Sequence, residues 1–228
     1  MPQTYSYSTD LGLRERKKLR MRQHIVGAAE RLFHEHGFDA VTVADVARMA
    51  EVGEQTVYNY FANKEGLVFD EADDFADRFA AMIDERRPGE CFVDALRRET
   101  HAFLDRLASW PADPYRRGSM PYLVATSPTV RRGWLNLLES YSRLIADRLT
   151  AASEGKLSTV AARMLGWSFV AIFHVIVDAV GEAMRKATGM KALIARLRPE
   201  VDAAIDVLER GLGAAPGPSA IHPQGRRQ

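Results

Sequence analysis

Amide, phenol and ammonium side chains are concentrated in one short segment, which reads QTVYNYFANK from Gln55 to Lys64. Gln55 and Asn59 are amides, and an amide side chain can pair with N6 and N7 of adenine in the major groove of DNA. Tyrosine hydroxyls and the Lys64 ammonium can reach phosphate oxygens, which position a protein on a duplex without reading its sequence. Together, these residue types could recognise double-stranded DNA.

A helix over residues 54–61 would sort these side chains onto two faces. At about 100° per residue, Val57 and Phe61 fall together on a face that must pack inward, with Tyr60 at its edge. The opposite face would carry the polar side chains, which are Gln55, Asn59, Thr56 and Tyr58. For Tyr60, packing and a phosphate contact are equally good interpretations.

The preceding residues predict the elements that would position this helix. A first helix runs from the basic N-terminal region to about His36, with an apolar stripe. The stripe consists of Ile25, Ala28, Ala29, Leu32 and Phe33. Thr42 is a good N-cap for a second helix over 43–50, and a turn over 51–53 leads into the third. Two short helices joined by such a turn form a helix-turn-helix, in which Thr42 could add a phosphate contact.

Helical spacing continues over the rest of the chain, without a convincing strand pattern, so the predicted fold class is all-α. We expect a fourth helix to run without a break from Lys64 to about Arg87. Further helical patterns cover 90–108, 119–126, 128–152, 158–187 and 199–212. The predicted organisation is a basic arm (1–20), a three-helix helix-turn-helix domain (21–66), a C-terminal helical domain (67–212) and a disordered tail (213–228).

Charge is unevenly distributed along the chain. The net charge is only +1, but residues 11–24 hold six basic residues and one acidic residue, a local charge of +5. Such an arm predicts a polyanionic partner, although a solvated terminus fits this run alone equally well. One cysteine, Cys91, suits a reducing compartment, and the N-terminus lacks the apolar core of a signal peptide. These features predict a cytoplasmic protein.

Residues 25–67 resemble the tetracycline-repressor-like (TetR) family of transcriptional regulators. The motifs are Ala-Ala-x-x-Leu-Phe, Gly-Phe, Thr-Val-x-x-Val-Ala and Thr-Val-Tyr-x-Tyr-Phe-x-x-Lys-x-x-Leu. The resemblance implies an all-helical homodimer that binds a palindromic operator through two recognition helices. It also implies a C-terminal domain for dimerisation and for a small-molecule effector that weakens DNA binding. One departure is the turn, which is usually Gly-Val-Ser and here is Glu-Val-Gly, at a modest expected loss of stability.

Three groups of residues follow as candidate sites. The predicted DNA-contacting residues are Arg20, Thr42, Gln55, Thr56, Tyr58, Asn59, Tyr60 and Lys64. The candidate effector-binding residues are His101, Tyr122, Trp134, Tyr141, Phe173 and His174, each of which is also compatible with an ordinary core position. The candidate dimer-interface residues are Trp167, Val170, Val177, Ala204, Val207 and Leu208.

The dimer prediction depends on residues 158–187, which are apolar on most sides, as expected of a helix buried by more than its own subunit. Its uncharged run over 164–177 has 14 residues, fewer than the roughly 20 needed to span a bilayer. We therefore expect no membrane span. Pro199 fits the first turn of the last helix.

Catalytic and metal-binding patterns are weak. His34 and His36 point about 200° apart on a helix and cannot share a metal ion. Cys91 has no obvious activating base, and His174 with Asp178 lacks a third ligand. We therefore predict no enzymatic activity, metal or cofactor. An all-helical enzyme or ligand-binding protein remains the alternative, as does a transcriptional activator of the same fold.

Overall fold

The protein is all-helical throughout the part that the structure describes. The structure, a computed structural model, describes residues 12–70, 72–110, 116–153 and 157–213. These ranges hold nine α-helices and no strand. The helices are α1 (Leu13–His36), α2 (Val43–Met49), α3 (Glu54–Tyr60), α4 (Ala72–Asp84), α5 (Phe92–Ala108), α6 (Met120–Thr126), α7 (Pro128–Ala152), α8 (Thr159–Arg185) and α9 (Met190–Gly213). The all-α prediction is confirmed.

Two predicted segments reach beyond the described residues. Residues 1–11 of the basic arm lie outside them, while residues 13–20 of that arm form the first turns of α1. Residues 214–228 of the predicted tail also lie outside them.

The chain divides into two compact units. The first consists of Met1–Asp70 and Pro111–Gly133, and the second of Glu71–Trp110 and Trp134–Gln228. The first unit thus contains the helix-turn-helix and a segment with α6 that the sequence analysis assigned to the C-terminal domain. A Cβ on Gly118 would lie 1.9 Å from the backbone oxygen of Glu30 on α1. A side chain at position 118 would therefore force this segment away from α1.

The core of the first unit is built on α1. Its buried residues are Ile25, Ala28, Ala29, Leu32 and Phe33, which are the stripe that the sequence predicts. Phe33 packs on Phe38, with 5.2 Å between the ring centroids. Thr42 caps α2 by accepting a hydrogen bond from the Asp45 backbone N–H at 3.2 Å.

The turn between α2 and α3 is a Schellman motif with an unusual residue at its left-handed position. The Val52 N–H donates to the Ala47 carbonyl at 2.9 Å, and the Glu51 N–H donates to the Arg48 carbonyl at 3.2 Å. This pattern places Glu51 where helices most often end with glycine. Its φ is 53°, in the left-handed region that disfavours a residue with a Cβ.

The predicted continuous helix from Lys64 to Arg87 is wrong. A short 3-10 helix covers Glu65–Leu67, and α4 begins only at Ala72. The Asn63 carboxamide accepts a hydrogen bond from the Gly66 N–H at 2.9 Å, which closes a local turn. Gly66 also favours a break, because glycine is the poorest helix former apart from proline. The connector between α3 and α4 is therefore a turn.

Aromatic rings fill the core of the second unit. Phe79 lies 4.9 Å from Phe173 and 5.3 Å from Tyr141, measured between ring centroids. Helix α8 also approaches α7 closely, because a Cβ on Gly166 would lie 2.2 Å from the Ser142 carbonyl oxygen.

The last helix begins earlier than predicted. Helix α9 starts at Met190, so Pro199 lies inside it and not in its first turn. The residues before the proline bury Leu193, Ile194 and Leu197 against the unit's core. That burial stabilises helical turns upstream of Pro199 although the proline supplies no N–H donor.

Helix α8 is long and apolar enough to cross a membrane by length and composition alone. Half of its most apolar window is buried inside the protein itself. A core helix passes the same test, so this feature is weak evidence for a membrane span.

Candidate nucleic-acid interface

Helix α3 has the two faces that its spacing predicts. Val57 is 1% exposed and Phe61, just after the helix, is 4% exposed, so this face is clamped in the first unit. Gln55 and Asn59 are both exposed on the other side, and the Gln55 Nε2 donates to the Asn59 Oδ1 at 3.2 Å. This hydrogen bond leaves the Gln55 oxygen as an acceptor and the Asn59 Nδ2 as a donor. Adenine offers the complementary N6 donor and N7 acceptor in the major groove.

The other polar residues of α3 flank the amide pair. Tyr58 is 48% exposed, whereas Thr56 and Tyr60 are half-buried. Tyr58 can thus extend its hydroxyl to a phosphate oxygen, while Tyr60 combines packing with partial exposure. The half-buried state of Tyr60 agrees with its predicted place at the edge of the inward face.

Thr42 is exposed at the start of α2, but its hydroxyl already has partners. It accepts from the Asp45 N–H and donates to the Asp45 Oδ2 at 2.6 Å. The hydrogen bonds from the Thr42 side chain and backbone, and the neighbouring Arg48 guanidinium, hold the pKa of Asp45 below its usual value. A negative charge therefore stands beside Thr42, which opposes a close phosphate contact there.

Lys64 is anchored inside the first unit. Its Nζ donates to the carbonyls of Phe38 and Val41, each at 3.0 Å, and lies 4.2 Å from the centroid of the Phe38 ring. These contacts use two of its three N–H donors and tie the α3–α4 connector to the α1–α2 loop. No local pattern in the sequence predicts this anchoring role, because the contacts join residues 26 and 23 positions apart.

Basic residues on α1 differ in what they contact. Arg20 is exposed, as are Arg14, Arg16, Lys17 and Lys18. Arg22 instead forms an ion pair with Asp70 and donates to the Tyr60 carbonyl at 3.3 Å. Arg22 is one of the six basic residues of the segment 11–24, and no local pattern in the sequence distinguishes it from its neighbours.

Four of the six candidate effector residues lie in the second unit, two of them hydrogen-bonded to each other and two packed on Phe79. Trp134 Nε1 donates to His174 Nδ1 at 3.1 Å. Phe173 and Tyr141 both pack on Phe79, and the Tyr141 hydroxyl donates to a backbone carbonyl of α4 at 2.9 Å.

The other two candidate effector residues lie elsewhere. Tyr122 belongs to α6 in the first unit. His101 on α5 pairs with Asp202 on α9 at 2.8 Å. Burial raises the pKa of Asp202, but the hydrogen bonds and charges of His101 and Arg97 outweigh it and hold that pKa below the usual value.

The predicted dimer residues divide between core and surface. Trp167 and Val207 are exposed large apolar residues, Ala204 is exposed and Leu208 is half-buried. The assignment of Val170 and Val177 to a surface is wrong, because they are 0% and 2% exposed inside their own subunit. The exposed apolar stripe of α8 is instead formed by Val160, Met164, Trp167 and Val175.

Metal-binding geometry is absent from the described residues, where no group of three or more His, Cys, Asp or Glu side chains could hold an ion. His36 lies 3.7 Å from its neighbour Glu35 on the surface of α1.

Comparison with known proteins finds a family that matches the N-terminal part of the chain. Residues 25–70 match the model of a family described as bacterial regulatory proteins, tetR family. The chain is 29% identical over 157 residues to the HTH-type transcriptional regulator TcmR of Streptomyces glaucescens. The matched region covers 68% of this chain and 69% of TcmR.

Solved structures share the fold. A TetR-family transcriptional regulator from Syntrophomonas wolfei has a TM-score of 0.57 at 17% identity, covering 82% of this chain and 96% of that chain. The structure of the SmeT–triclosan complex has a TM-score of 0.52 at 21% identity, covering 82% and 91%. The family match and the helix-turn-helix geometry agree: residues 25–70 match the tetR family of bacterial regulatory proteins, and the chain is similar to helix-turn-helix transcriptional regulators.

Proposed function

We propose that this protein is a cytoplasmic, homodimeric repressor that reads an operator with α3 and leaves it when a small molecule binds. The observation that carries the proposal is the exposed amide pair of Gln55 and Asn59 on a helix whose opposite face is buried. Such a helix can enter the major groove while its buried face stays packed in the first unit. The relatives are transcriptional regulators, so we infer no enzymatic activity.

The DNA contacts would divide into two kinds. Gln55 and Asn59 would hydrogen-bond to base edges and therefore set sequence preference. The remaining candidates would contact phosphates and set general affinity. They are Arg20, Thr42, Thr56, Tyr58, Tyr60 and Lys64. Among them, Arg20, Thr42 and Tyr58 are exposed. The Asp45 carboxylate beside Thr42 would weaken a phosphate contact there, and the anchored Lys64 would offer its third donor.

Dimerisation would use the exposed apolar stripe of α8 and the adjoining surface of α9. Met164 and Val175 are more than half exposed, as is Val207 on α9. Exposed apolar side chains aligned along one helix favour a protein partner, and a second copy would bring an identical stripe. A two-fold dimer would place its α3 helices on half-sites about 34 Å apart.

Effector binding would use the aromatic core of the second unit. Trp134, Tyr141, Phe173 and His174 combine ring surfaces with hydrogen-bonding groups, which suits a small aromatic or apolar molecule. SmeT, a protein of the same fold, is known as a complex with triclosan. A ligand that shifts α4, which follows α3 along the chain, would change the separation of the two α3 helices. A change of a few ångström would prevent simultaneous docking.

Selection of bound duplexes from a random pool tests this function. We expect the wild-type protein to enrich a palindrome. Asn59→Ala and Gln55→Ala should lower its preference for that duplex over a scrambled one, whereas Lys64→Ala should weaken binding to both. Asn136→Ala, which removes an exposed amide on α7, is the matched control and should bind normally. Failure to enrich any sequence, or equal losses on both duplexes for all three variants, would contradict the proposal.

The direction of regulation and the response to a ligand need a second assay. A reporter placed behind the enriched duplex should be silenced by the protein and restored by an active compound. Activation of the reporter would instead identify an activator of the same fold.

A further inference from the structure

Arg22 holds three parts of the helix-turn-helix unit together. From α1, its Nε pairs with the Asp70 carboxylate, and its Nη2 donates to the Asp70 carbonyl at 3.1 Å. Its Nη1 donates to the carbonyl of Tyr60, the last residue of α3, at 3.3 Å. The guanidinium also lies 4.7 Å from the centroid of the Phe61 ring. Helix α1, the end of α3 and the connector to α4 thus meet at one side chain.

The end of α3 needs such support. Helix α3 has seven residues, and the last four carbonyls of any helix lack an intrahelical partner. Phe61 then turns into extended backbone, with φ −137° and ψ 123°. A short helix that ends this abruptly is held in place by contacts from outside it, and Arg22 supplies a charge-assisted one at the Tyr60 carbonyl.

We propose that Arg22 is a positioning residue for DNA recognition, which fixes the tilt of α3 and thereby the place of the Gln55–Asn59 amide pair in the groove. The proposal rests on the proposed function of α3. It assigns to Arg22 a role different from that of the exposed cations on the same helix, since Arg22 does not contact DNA.

The geometry separates Arg22 from a phosphate-binding arginine. Three of its five N–H groups already donate within the protein, and its side chain is 32% exposed. The planar fork is required, because a lysine ammonium cannot serve the Asp70 carboxylate, the Asp70 carbonyl and the Tyr60 carbonyl together. By contrast, Arg20 is exposed on α1 and is the matched control.

The test compares Arg22→Lys, Arg22→Ala, Asp70→Asn and Arg20→Ala in the full-length protein. Each variant is titrated with the duplex that the wild-type protein enriches and with a scrambled duplex, at several salt concentrations. Hydrogen exchange of peptides covering residues 54–70 is measured without DNA, and thermal unfolding reports whether each variant is folded.

A positioning role predicts that Arg22→Lys and Asp70→Asn each lower the preference for the enriched duplex about tenfold. A variant that combines Arg22→Lys and Asp70→Asn should lose little more than either alone, because both changes break the same ion pair. The salt dependence should stay at the wild-type slope, and residues 54–61 should exchange faster. Arg20→Ala should reduce the salt slope by about two, because the dimer would lose one phosphate contact per subunit.

Three results would overturn the proposal. One is a wild-type preference for the enriched duplex in Arg22→Lys together with a lower salt slope in Arg22→Ala, which would make Arg22 a phosphate contact. Another is unchanged exchange of residues 54–61 in all Arg22 and Asp70 variants. The third is reduced stability with unaltered preference in folded variants, which would make the clamp purely structural. If the wild-type protein enriches no duplex, the proposed function fails. Hydrogen exchange of residues 54–61 still tests separately whether Arg22 holds α3 in place.

Discussion

Replacing Glu51 with glycine should stabilise this protein. Glu51 occupies the left-handed position of the Schellman motif between α2 and α3, with φ 53°. The hydrogen bonds of that motif come from backbone atoms only, so glycine can keep them all. The substitution therefore changes the conformational preference at one residue and leaves the turn intact.

The magnitude follows from two opposing terms. A residue with a Cβ in the left-handed region is destabilised by about 1–2 kcal/mol relative to the right-handed one. Glycine loses more chain entropy on folding, which costs about 0.4–1 kcal/mol. The midpoints of these two ranges differ by about 0.8 kcal/mol, which is the expected gain in the free energy of unfolding for Glu51→Gly. For a chain of this length, that corresponds to an increase in Tm of about 1–4 °C.

Urea unfolding at constant temperature, followed by circular dichroism, measures this difference. Glu51→Ala is the matched control, because it removes the carboxylate but keeps the strained φ, and it should change stability little. Ala187→Gly provides an independent case, since Ala187 has φ 55° after α8. A Glu51→Gly variant no more stable than Glu51→Ala would refute the reasoning from φ.

Further predictions concern packing, assembly and pH. Gly118→Ala should lower the free energy of unfolding by at least about 2 kcal/mol, because the new Cβ would lie 1.9 Å from a backbone oxygen of α1. Gly27→Ala is the control in the same urea titration. A Cβ at position 27 has nothing within 4 Å, so this variant should be neutral or stabilising. Met164→Glu should shift the protein from dimer to monomer in sedimentation, whereas Ala151→Glu on α7 should not; a Met164→Glu dimer of normal affinity would contradict the proposed stripe. The lowered pKa of Asp45 means that the stability from its hydrogen bonds with Thr42 is fully present above the ordinary carboxyl pKa of about 4. This contribution is lost as pH falls through the lower pKa of the folded state. Acid unfolding should therefore show a smaller pH dependence in Asp45→Asn, and an identical profile would contradict this.

The parts of the fold that depend on local spacing were predictable. The stripe of α1 and the two faces of α3 follow from helical periodicity alone, and both agree with the structure. The predicted end of the third helix, at about Phe61, also agrees with the structure, in which α3 ends at Tyr60. Each of these features needs only residues within two turns of one another.

The break before α4 needs contacts between distant residues. Residues 64–87 have helical spacing, and only Gly66 weakens it locally. Arg22 binds Asp70 from 48 positions away, and Lys64 binds carbonyls of the α1–α2 loop. The sequence does not show which residues Arg22 and Lys64 contact, so both side chains are compatible with DNA contacts in the sequence alone.

Faces of an apolar helix are equally hard to assign from sequence. Helix α8 is apolar on most sides, so its pattern does not distinguish the core of one subunit from a surface. Gly166 settles the orientation, because its lack of a Cβ allows α7 to approach that side. Val170 and Val177 then lie in the core, and Met164 lies outside.

Binding to a duplex that contains 7-deazaadenine tests most directly whether the amides of α3 read adenine in the major groove. This base lacks the N7 acceptor but keeps Watson–Crick pairing. We predict that replacing the adenines of the enriched half-sites with 7-deazaadenine weakens DNA binding by the wild-type protein by about 1–3 kcal/mol. The same replacement should weaken DNA binding by Asn59→Ala much less. Equal binding of the two duplexes by the wild-type protein, or equal losses for both proteins, would contradict this account.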